Sequence, residues 1–351
     1  MKRLRFASSL AAVAIGFVPH VRGAEPGKPA LSQAEALSHE VGEIIGKVCD
    51  AICRIDADDQ HGHLRGTGFF VDADGTLLTS FSVGGASEDI VVTAGERRFP
   101  ATRLVADARA GIALLKVASE RPFRFLKFGS SSKLEVGNLV VTAGYPLDLP
   151  LSPSYGPVAG MEIGFDGRFF ATRHIRANVP VQRGEGGSPV MNLRGEAVGV
   201  LISMVEENSG IFALPVEAAQ KVIHDFRTYG RVRQGWVGVD VRESEIAKGG
   251  STARVQTLLE DGPAYAGGVR AGDILLQIGS CKISNPADVM NAAFFVTSTE
   301  ALKVRVFRDG KVREVTVTPQ DSPTGSAPTI ERQSPSMLLS EDIERGIKLD
   351  K

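Results

Sequence analysis

Residues 66–79 read GTGFFVDADGTLLT, and this stretch decides the fold class. Two runs of apolar and β-branched residues, Thr67–Val71 and Thr76–Ser80, flank the dipeptide Asp74-Gly75. An Asp-Gly pair readily adopts the positive φ angles of a tight hairpin turn. The stretch therefore predicts two short antiparallel strands.

Short strands of the same kind continue on both sides of this hairpin. Residues 51–55 read as the start of a strand, and glycine-bearing turns separate most of the later runs. Many short strands with almost no helix are typical of antiparallel barrels or a sandwich. Apolar residues at helical spacing predict one helix before the strands, over 31–48, and one after them, over 215–229. The further predicted strands are 90–93, 101–106, 112–117, 139–143, 197–203 and 211–213.

The chain beyond residue 230 has a different, mixed pattern of strand and helix. Residues 230–235 read as a linker. A helix is predicted over Pro286–Phe295, because proline is tolerated in the first helical turn and Asn285 or Ser284 can cap it. The Asp309-Gly310 pair predicts another hairpin. The remaining predicted elements are strands 236–241, 253–259 and 274–278 and a short helix from Pro263.

The two ends of the chain have compositions of their own. Basic residues 2–5, the apolar run Phe6–Val18 and small residues up to Gly23 predict a signal peptide over 1–23 and export to the periplasm or the exterior. An uncleaved anchor helix is the alternative, although the run is short for a membrane span. At the other end, residues 321–336 are rich in Ser, Thr and Pro, which predicts disorder. Residues 337–349 could form one helix that packs on the body or contacts a partner.

Length and charge restrict the function classes. A chain of 351 residues exceeds what one apolar core usually serves, so two domains are expected. With 41 acidic and 40 basic residues there is no one-sided positive charge for nucleic acid, so a nucleic-acid partner is excluded.

Export implies an oxidising compartment, and the sequence has three cysteines, an odd number. A Cys49–Cys53 disulfide stays open at this point, because a strand start carries the two side chains apart. Cys281 is predicted to be a free thiol in a turn. The cysteines lack the CxxC spacing of structural zinc sites, so we predict no metal and no cofactor.

Three segments carry a resemblance to a known family. They are the stretch 66–79, GIALLK at 111–116 and GEGGSPVMN at 184–192. Together they resemble the HtrA (Deg) serine protease family, in which the equivalent stretches carry the catalytic histidine, aspartate and serine. The resemblance extends to GYP at 144–146 and FALP at 212–215 and covers residues 40–320.

This resemblance implies a mostly β fold, with a chymotrypsin-like double β-barrel followed by one α+β PDZ domain. The implied boundaries are a signal peptide over 1–23, an N-terminal helical segment over 24–48, a trypsin-like domain over 49–229, a PDZ domain over 230–320 and a disordered tail with a possible short helix over 321–351.

The three catalytic positions of the family hold other residues in this chain. Ser82 stands at the histidine position, Gly111 at the aspartate position and Gly186 at the nucleophile position, with intervals close to the family's. A serine hydroxyl is a weak nucleophile until an adjacent base takes its proton, and the base needs an acceptor that holds its tautomer. The resemblance therefore implies a degenerate member with no catalytic residues. The N–H groups of Gly184 and Gly186 would form a relic oxyanion loop; a tight turn that simply needs glycine is the plainer alternative.

Other residues are poor substitutes for the missing triad. Ser188 lies two positions beyond the nucleophile site, which is too far for a simple replacement. His61, His63 and His174 are interpreted as solvated or structural, because no carboxylate partner is evident at a useful spacing, and two histidines alone make a weak metal site. Glu185 is expected to stand beside the oxyanion site and to repel developing negative charge.

The second domain shows no comparable loss. Gly235, Trp236, Val237, Gly238 and Val239 resemble the carboxylate-binding loop of the family's PDZ domains, and residues 262–275 resemble the helix and strand that follow it. Such domains bind an extended peptide as an added strand and hold its terminal carboxylate on loop N–H groups. Trp236 either lines this groove or packs in the core.

From these patterns we predict an exported pseudoprotease that binds peptide C-termini or unfolded exported proteins through its PDZ domain, with a chaperone-like or regulatory role. Further predicted partners are copies of itself, in a homo-oligomer, or active HtrA relatives. Two alternatives stay open: an active serine endopeptidase with an unrecognised nucleophile, and a structural assembly module in which neither domain binds peptide.

Overall fold

The computed structural model describes residues 29–165, 168–205, 210–246 and 250–321. The predicted signal peptide, and the tail beyond Asp321, lie outside these described residues. The chain divides into two compact units between Glu40 and Val41, and both barrels and the sheet that follows them belong to the second unit. Among the described helices, none combines the length and the apolar character that a membrane span needs.

Helix α1 (Pro29–Val48) and a 3₁₀ turn precede a first closed barrel of six strands. The predicted helix over 31–48 is therefore confirmed. Buried apolar side chains such as Ile55, Phe70 and Leu115 fill the barrel. The hairpin predicted at Asp74-Gly75 is present: Gly75 has a φ of 89°, and Asp72 Oδ1 accepts from the N–H groups of Asp74 and Thr76. The strands are β1 (Ile52–Asp59), β2 (Gly62–Phe70), β3 (Thr76–Ser80), β4 (Asp89–Ala94), β5 (Arg97–Asp107) and β6 (Ile112–Val117), in the order β1-β2-β3-β6-β5-β4, with the one-turn helix α2 (Phe81–Gly84) after β3.

A second closed six-stranded barrel follows, with its own core around Val140, Ile175 and Leu201. Three of its strands were not predicted. β8 contains several prolines and glycines, β9 is rich in arginine, and β10 is only three residues long, so none of them shows a clear strand pattern. The strands are β7 (Leu139–Gly144), β8 (Ser152–Phe165), β9 (Arg168–Ala177), β10 (Pro189–Met191), β11 (Ala197–Met204) and β12 (Ile211–Pro215), in the order β10-β11-β12-β9-β8-β7.

Helix α3 (Val216–Tyr229) ends at Gly230, whose φ of 72° is typical of a C-terminal cap. The unit that follows has one sheet in the order β14-β15-β16-β18-β19 over a separate apolar core. Its elements are β13 (Gly235–Trp236), β14 (Val239–Ile246), β15 (Gly250–Leu258), α4 (Pro263–Ala266), β16 (Ile274–Ile278), β17 (Cys281–Lys282), α5 (Pro286–Phe294), β18 (Leu302–Arg308), β19 (Lys311–Val317) and β20 (Gln320–Asp321).

One predicted strand of this unit is wrong in detail. The strand expected over 236–241 is interrupted at Val237-Gly238, because Gly238 has a φ of 71° and turns the chain between β13 and β14. The predicted mostly β class and the double barrel followed by an α+β unit are confirmed.

Helix α5 connects this last unit to the second barrel. Arg173 Nη2 on β9 lies 2.5 Å from Asp288 Oδ1, and the Arg173 N–H donates to Asn291 Oδ1 at 2.9 Å. The face of α5 that carries Asp288 and Asn291 therefore lies against β9.

The cysteines are all free. Cys53 is fully buried in β1, and Cys49 lies in the 3₁₀ turn before that strand. The disulfide that the sequence left open is not formed. Burial raises the pKa of the Cys53 thiol, as expected for an inert cysteine of a core.

Candidate active-site cleft and peptide groove

The three positions that resemble the family's triad come together where the two barrels meet. Ser82 lies on α2, Gly111 precedes β6, and Gly186 lies in the loop before β10. A Cβ atom added to Gly186 would stand 3.3 Å from Ser80 Oγ and 3.9 Å from Ser82 Oγ. The Phe81 N–H donates to the Gly111 carbonyl at 2.7 Å. The positions are adjacent in space, and Gly186 has no side chain to place there.

Two hydroxyl groups stand where a base would face a nucleophile. Ser80 Oγ and Ser82 Oγ lie 2.9 Å apart and share a hydrogen bond. Hydroxyl groups have pKa values far above neutral, so neither can remove a proton from the other at physiological pH.

His63 differs from its prediction. It lines the cleft, its Nδ1 lies 3.0 Å from Asp58 Oδ1 and its Nε2 lies 3.5 Å from Asp56 Oδ1. The expectation that no carboxylate partners it is therefore wrong. Asp58 and His63 are direct cross-strand partners in the hairpin of β1 and β2, a signal that the sequence contained. Each ring nitrogen of His63 therefore has a carboxylate oxygen of the first hairpin as its neighbour.

The two other histidines have structural surroundings. His174 is buried, its Nδ1 lies 2.7 Å from the Thr172 carbonyl oxygen, and its ring stacks on Phe170. Burial lowers the pKa of His174 to about 4. His61 is exposed next to Gln60. Across the described ranges, no group of three or more His, Cys, Asp or Glu side chains is placed to hold a metal ion.

The loop 184–187 needs glycine at two of its positions. Gly184 and Gly187 have φ angles of 97° and 92°, and a Cβ on either would lie within 2.4 Å of a backbone oxygen, of Tyr145 and Thr67 respectively. The tight turn by itself therefore explains why Gly184 and Gly187 are glycines. It does not cover Gly186, which has no positive φ and meets nothing closer than 3.3 Å.

The same loop directs two backbone donors. The Arg183 carbonyl accepts from the Leu147 N–H at 2.9 Å, and the Glu185 carbonyl accepts from the Ser188 N–H at 3.0 Å. In a trans peptide the N–H points away from the carbonyl of the same unit, so the N–H groups of Gly184 and Gly186 point away from these partners. Among the residues that the structure describes, neither N–H has a protein acceptor, and both glycines line the cleft.

Glu185 faces away from the cleft, which corrects the expectation that it repels negative charge there. Its side chain is buried, and its Oε2 accepts from the Gln182 N–H at 2.5 Å. Burial raises the pKa of the Glu185 carboxyl. Successive residues of this tight loop face opposite sides. The side chain of residue 185 therefore points into the barrel, whereas residues 184 and 186 face the cleft.

Ser188 is also directed into the barrel. It is fully buried, its Oγ has no hydrogen-bond partner within the described part of the chain, and this atom would lie 2.3 Å from a Cβ on Gly144. The hydroxyl is therefore behind the loop rather than in the cleft.

The cleft itself has a volume of about 850 Å³. Its wall includes Leu147 and Met204, which are exposed, and the cations Arg65 and Arg183. Leu147 and Asp148 both have positive φ, at 46° and 68°, a conformation that costs a non-glycine residue about 1–2 kcal/mol. Sequence reasoning missed these wall residues, because neither their backbone strain nor their convergence follows from a local pattern.

A second concave site lies between β14 and α5 of the last unit. This groove, of about 300 Å³, is lined by all of the predicted residues Gly235–Val239 and by Val289, Met290 and Ala293 of α5. Trp236 lines it and is half-buried, which places the ring at the groove rather than in the core. β14 is an edge strand, with β15 as its partner in the described sheet.

The turn between β13 and β14 also presents backbone donors. The carbonyls of Val237 and Gly238 accept from the N–H groups of Ala264 and Leu259, at 3.0 and 3.1 Å. By the same trans-peptide geometry, the N–H groups of Gly238 and Val239 point to the opposite side. An edge strand beside an apolar groove, with N–H groups at one end, suits an extended peptide with a terminal carboxylate.

Comparison with known proteins matches both halves of the chain. A trypsin-like peptidase domain family matches residues 66–200, and a PDZ domain family matches residues 235–318. A probable periplasmic serine endoprotease, DegP-like, of Pseudomonas fluorescens is 30% identical over 293 residues, which is 80% of this chain and 60% of the relative. The protein of the same description in Ectopseudomonas mendocina is 31% identical over 265 residues, 72% of this chain and 56% of the relative. The chain thus spans roughly three fifths of the length of these curated relatives.

Solved structures show the same fold. The HtrA-type protease AlgW with a tripeptide superposes with a TM-score of 0.67 at 21% identity, covering 81% of this chain and 97% of that one. The serine endoprotease from Yersinia pestis gives a TM-score of 0.59 at 21% identity, covering 80% and 98% of the two chains.

Proposed function

The chain belongs to the HtrA (Deg) family, and from that premise we propose that it is an exported member without proteolytic activity, which binds peptide C-termini through its PDZ domain. The proposal rests on the residues at the three catalytic positions of the cleft. Gly186 is at the nucleophile position, Ser82 lies opposite it, and Gly111 is at the position of the orienting acid.

The names of the relatives favour the alternative, an active serine endopeptidase, over this proposal. The name of a relative, however, refers to the activity of that protein with its own residues. At roughly 30% identity, most positions differ between that relative and this chain. Proteolysis of the serine type needs a hydroxyl that attacks, a base that takes its proton and an acid that orients the base. In this cleft Gly186, at the nucleophile position, has no side chain. Ser82 replaces the base with a hydroxyl group, and Gly111 replaces the orienting acid with a hydrogen atom. The remaining N–H donors would supply only residual catalysis.

The groove supports the binding half of the proposal. Its apolar wall suits an apolar last residue, and the turn at Gly238 offers N–H groups to the carboxylate. A short peptide covers little surface and loses conformational freedom, so we expect micromolar affinity, roughly −8 kcal/mol. Unfolded exported proteins, copies of this chain and active relatives are the proposed partners, and the periplasmic names of the relatives agree with export.

Calorimetric titration of residues 230–320, checked for folding by circular dichroism, tests the binding half. A peptide with an apolar, free C-terminal residue should bind, and its C-terminal amide should bind more weakly by about 1.5–3 kcal/mol, because charge-assisted hydrogen bonds are lost. Equal affinities for acid and amide would favour the binding of internal segments. No binding of either would favour the assembly module.

A fluorophosphonate probe tests the catalytic half, because it reacts with activated serine hydroxyls. We expect no labelling of the purified protein under conditions that label an active HtrA protease. Labelling that maps to Ser80, Ser82 or Ser188 would support the endopeptidase alternative.

A further inference from the structure

One face of the sheet β14-β15-β16-β18-β19 lies opposite the apolar core of its unit. Leu275 and Val306 are buried in that core, so Ile274 and Phe307, the adjacent residues of their strands, point to the other, outer face. We propose that residues 337–349 of this chain, which lie outside the described residues, dock on this outer face as an amphipathic helix. The inference concerns a different surface from the peptide groove and does not depend on the proposed function.

The strand register places five side chains in one row across the outer face. Arg242 is paired with Arg254, Arg254 with Ile274, Ile274 with Phe307, and Phe307 with Val312. Residues directly opposite each other on neighbouring strands lie on the same face of a sheet. Phe307 and Val312 are 38% and 52% exposed, and Ile274 is half-buried. The row therefore has a cationic half and an exposed apolar half.

The cationic half of the row has two like charges side by side. Arg242 and Arg254 are exposed and directly opposite each other, an arrangement that destabilises a sheet. Arg254 donates from Nη1 to the Gly272 carbonyl at 3.1 Å and from Nε to Ser244 Oγ at 3.4 Å, which are uncharged partners. Neither arginine forms an ion pair among the described side chains. A carboxylate that approaches this end of the row is therefore attracted by both.

A second row of the same face is also short of anions. Arg305 lies two residues before Phe307 on β18, is exposed, and has the neutral Gln277 Oε1 3.4 Å from its Nη1. Its cross-strand partner Glu314 is bonded instead to Lys303, at 2.8 Å. Two cations therefore share one carboxylate, and the excess of positive charge favours an acidic partner.

The sequence of 337–349, MLLSEDIERGIKL, has the complementary pattern. At 3.6 residues per turn, three apolar residues at intervals of four form one stripe of a helix: Leu339, Ile343 and Ile347. Asp342 and Glu344 border this stripe, one on each side, whereas Arg345 and Lys348 lie on the opposite side of the helix. An apolar stripe between two acids fits an apolar surface that arginines border.

The chain ends its described part close to the outer face. β19, which carries Val312, is the edge strand of the sheet, and the described residues end shortly after it, at Asp321. Residues 322–336 span at most about 50 Å when extended and about 20 Å on average as a coil, whereas β19 is about 23 Å long. The spacer therefore reaches the face. Such a tether gives an effective concentration on the order of millimolar, which favours the chain's own segment over a separate partner.

Disulfide trapping in the purified protein tests the contact. Val312→Cys with Ile343→Cys, in a background of Cys49→Ser and Cys281→Ser, should form a 312–343 link under mild oxidation, identified by mass spectrometry. Leu259→Cys with Ile343→Cys is the matched control, because Leu259 is 55% exposed in the same unit and lies outside the row. We expect the 312–343 link to form at least about tenfold faster than the control link. Equal rates, or a 312–343 link that joins two chains, would overturn the proposal.

A charge exchange tests the electrostatic part of the contact. Arg254→Glu should slow the 312–343 link about fivefold, because repulsion replaces attraction, and Asp342→Arg together with Glu344→Arg should restore it. Arg124→Glu, the same change at an exposed arginine outside this unit, should leave the rate unchanged. A rate that Arg254→Glu does not lower, or that the two reversals do not restore, contradicts the proposal. Flotation of the wild type with phosphatidylglycerol vesicles that is lost in Phe307→Ser would assign the face to a membrane instead.

Discussion

At position 111 the backbone has a left-handed conformation, which favours glycine over residues with a side chain. Gly111 has a φ of 73°, and a Cβ there would meet Ile202 Cδ1 at 3.4 Å. Position 186 is different, because a Cβ fits there with a rotatable hydroxyl as its nearest neighbour. Substitution at 186 is therefore sterically permitted, whereas substitution at 111 strains the backbone.

We predict that the triple variant Ser82→His, Gly111→Asp and Gly186→Ser hydrolyses casein at most weakly. An aspartate at 111 would have to adopt the left-handed backbone of Gly111, which strains the site, and catalysis depends on preorganised groups. Gly95→Asp is the matched control for backbone cost alone, because Gly95 has a φ of 60° and open space around it. Turnover by the triple variant close to that of an active relative would show that the site keeps its geometry.

His174 makes stability depend on pH. Its pKa is about 4 in the folded protein, because of burial, whereas an unfolded histidine has a pKa of about 6.5. Below about pH 6.5 the unfolded state binds the proton and the folded state does not, so the free energy of unfolding falls as the pH falls toward 4.

The predicted loss from this residue is about 3 kcal/mol between pH 7.5 and pH 4. Urea titrations of the wild type and His174→Phe at several pH values should show a shallower decline for the variant, and His61→Gln, an exposed change, should follow the wild type. Parallel curves for His174→Phe and the wild type would contradict this account.

For individual residues, the sequence predicts where a residue lies in the fold better than the direction in which its side chain points. The family resemblance brought Ser82, Gly111 and Gly186 to one place, since it fixes the register of whole strands. It could not show that Glu185 turns inward, because that depends on the glycine conformations around it. The pairing of His63 with Asp58 was readable from the hairpin register but depends on how the turn at 59–62 closes.

Among the elements, those with strong local signals were predictable. The hairpin turn at Gly75 and helices α1, α3 and α5 follow from turn residues and apolar spacing. β8 and β9 escaped prediction because barrel closure, rather than local propensity, holds strands with proline, glycine and arginine in place. The break between β13 and β14 depends on one positive φ at Gly238, a conformation that the sequence permits without requiring.

Helix α5 has a cap that the sequence left between two residues. Asn285 Oδ1 accepts from the Asp288 N–H at 3.0 Å, and Asp288 Oδ2 accepts in return from the Ser284 N–H at 2.8 Å. Asn285→Ala should therefore lower the free energy of unfolding of this unit by about 1 kcal/mol. Ser284→Ala keeps its backbone N–H and is the matched control, with little change expected in a urea titration. Equal losses for both variants would show that the cap is not the cause.

At the scale of the molecule, helix α5 lies between the proposed peptide groove and the second barrel. Gly238 and Val239 direct N–H groups at the groove that α5 lines, while Asp288 and Asn291 of that helix are bonded to β9 of the second barrel. The cleft lies where that barrel meets the first. This arrangement suits a binding protein built on a protease scaffold.

We propose that the scaffold no longer cleaves peptide bonds, and casein hydrolysis by the purified protein from about pH 5 to about pH 9 measures this most directly. We predict a rate no higher than that of a buffer control at every pH, because the missing groups are side chains and not groups whose pKa is merely mistuned. Casein cleavage that survives repurification and disappears in Ser80→Ala, Ser82→Ala or Ser188→Ala would contradict the claim and establish an active endopeptidase with a different nucleophile.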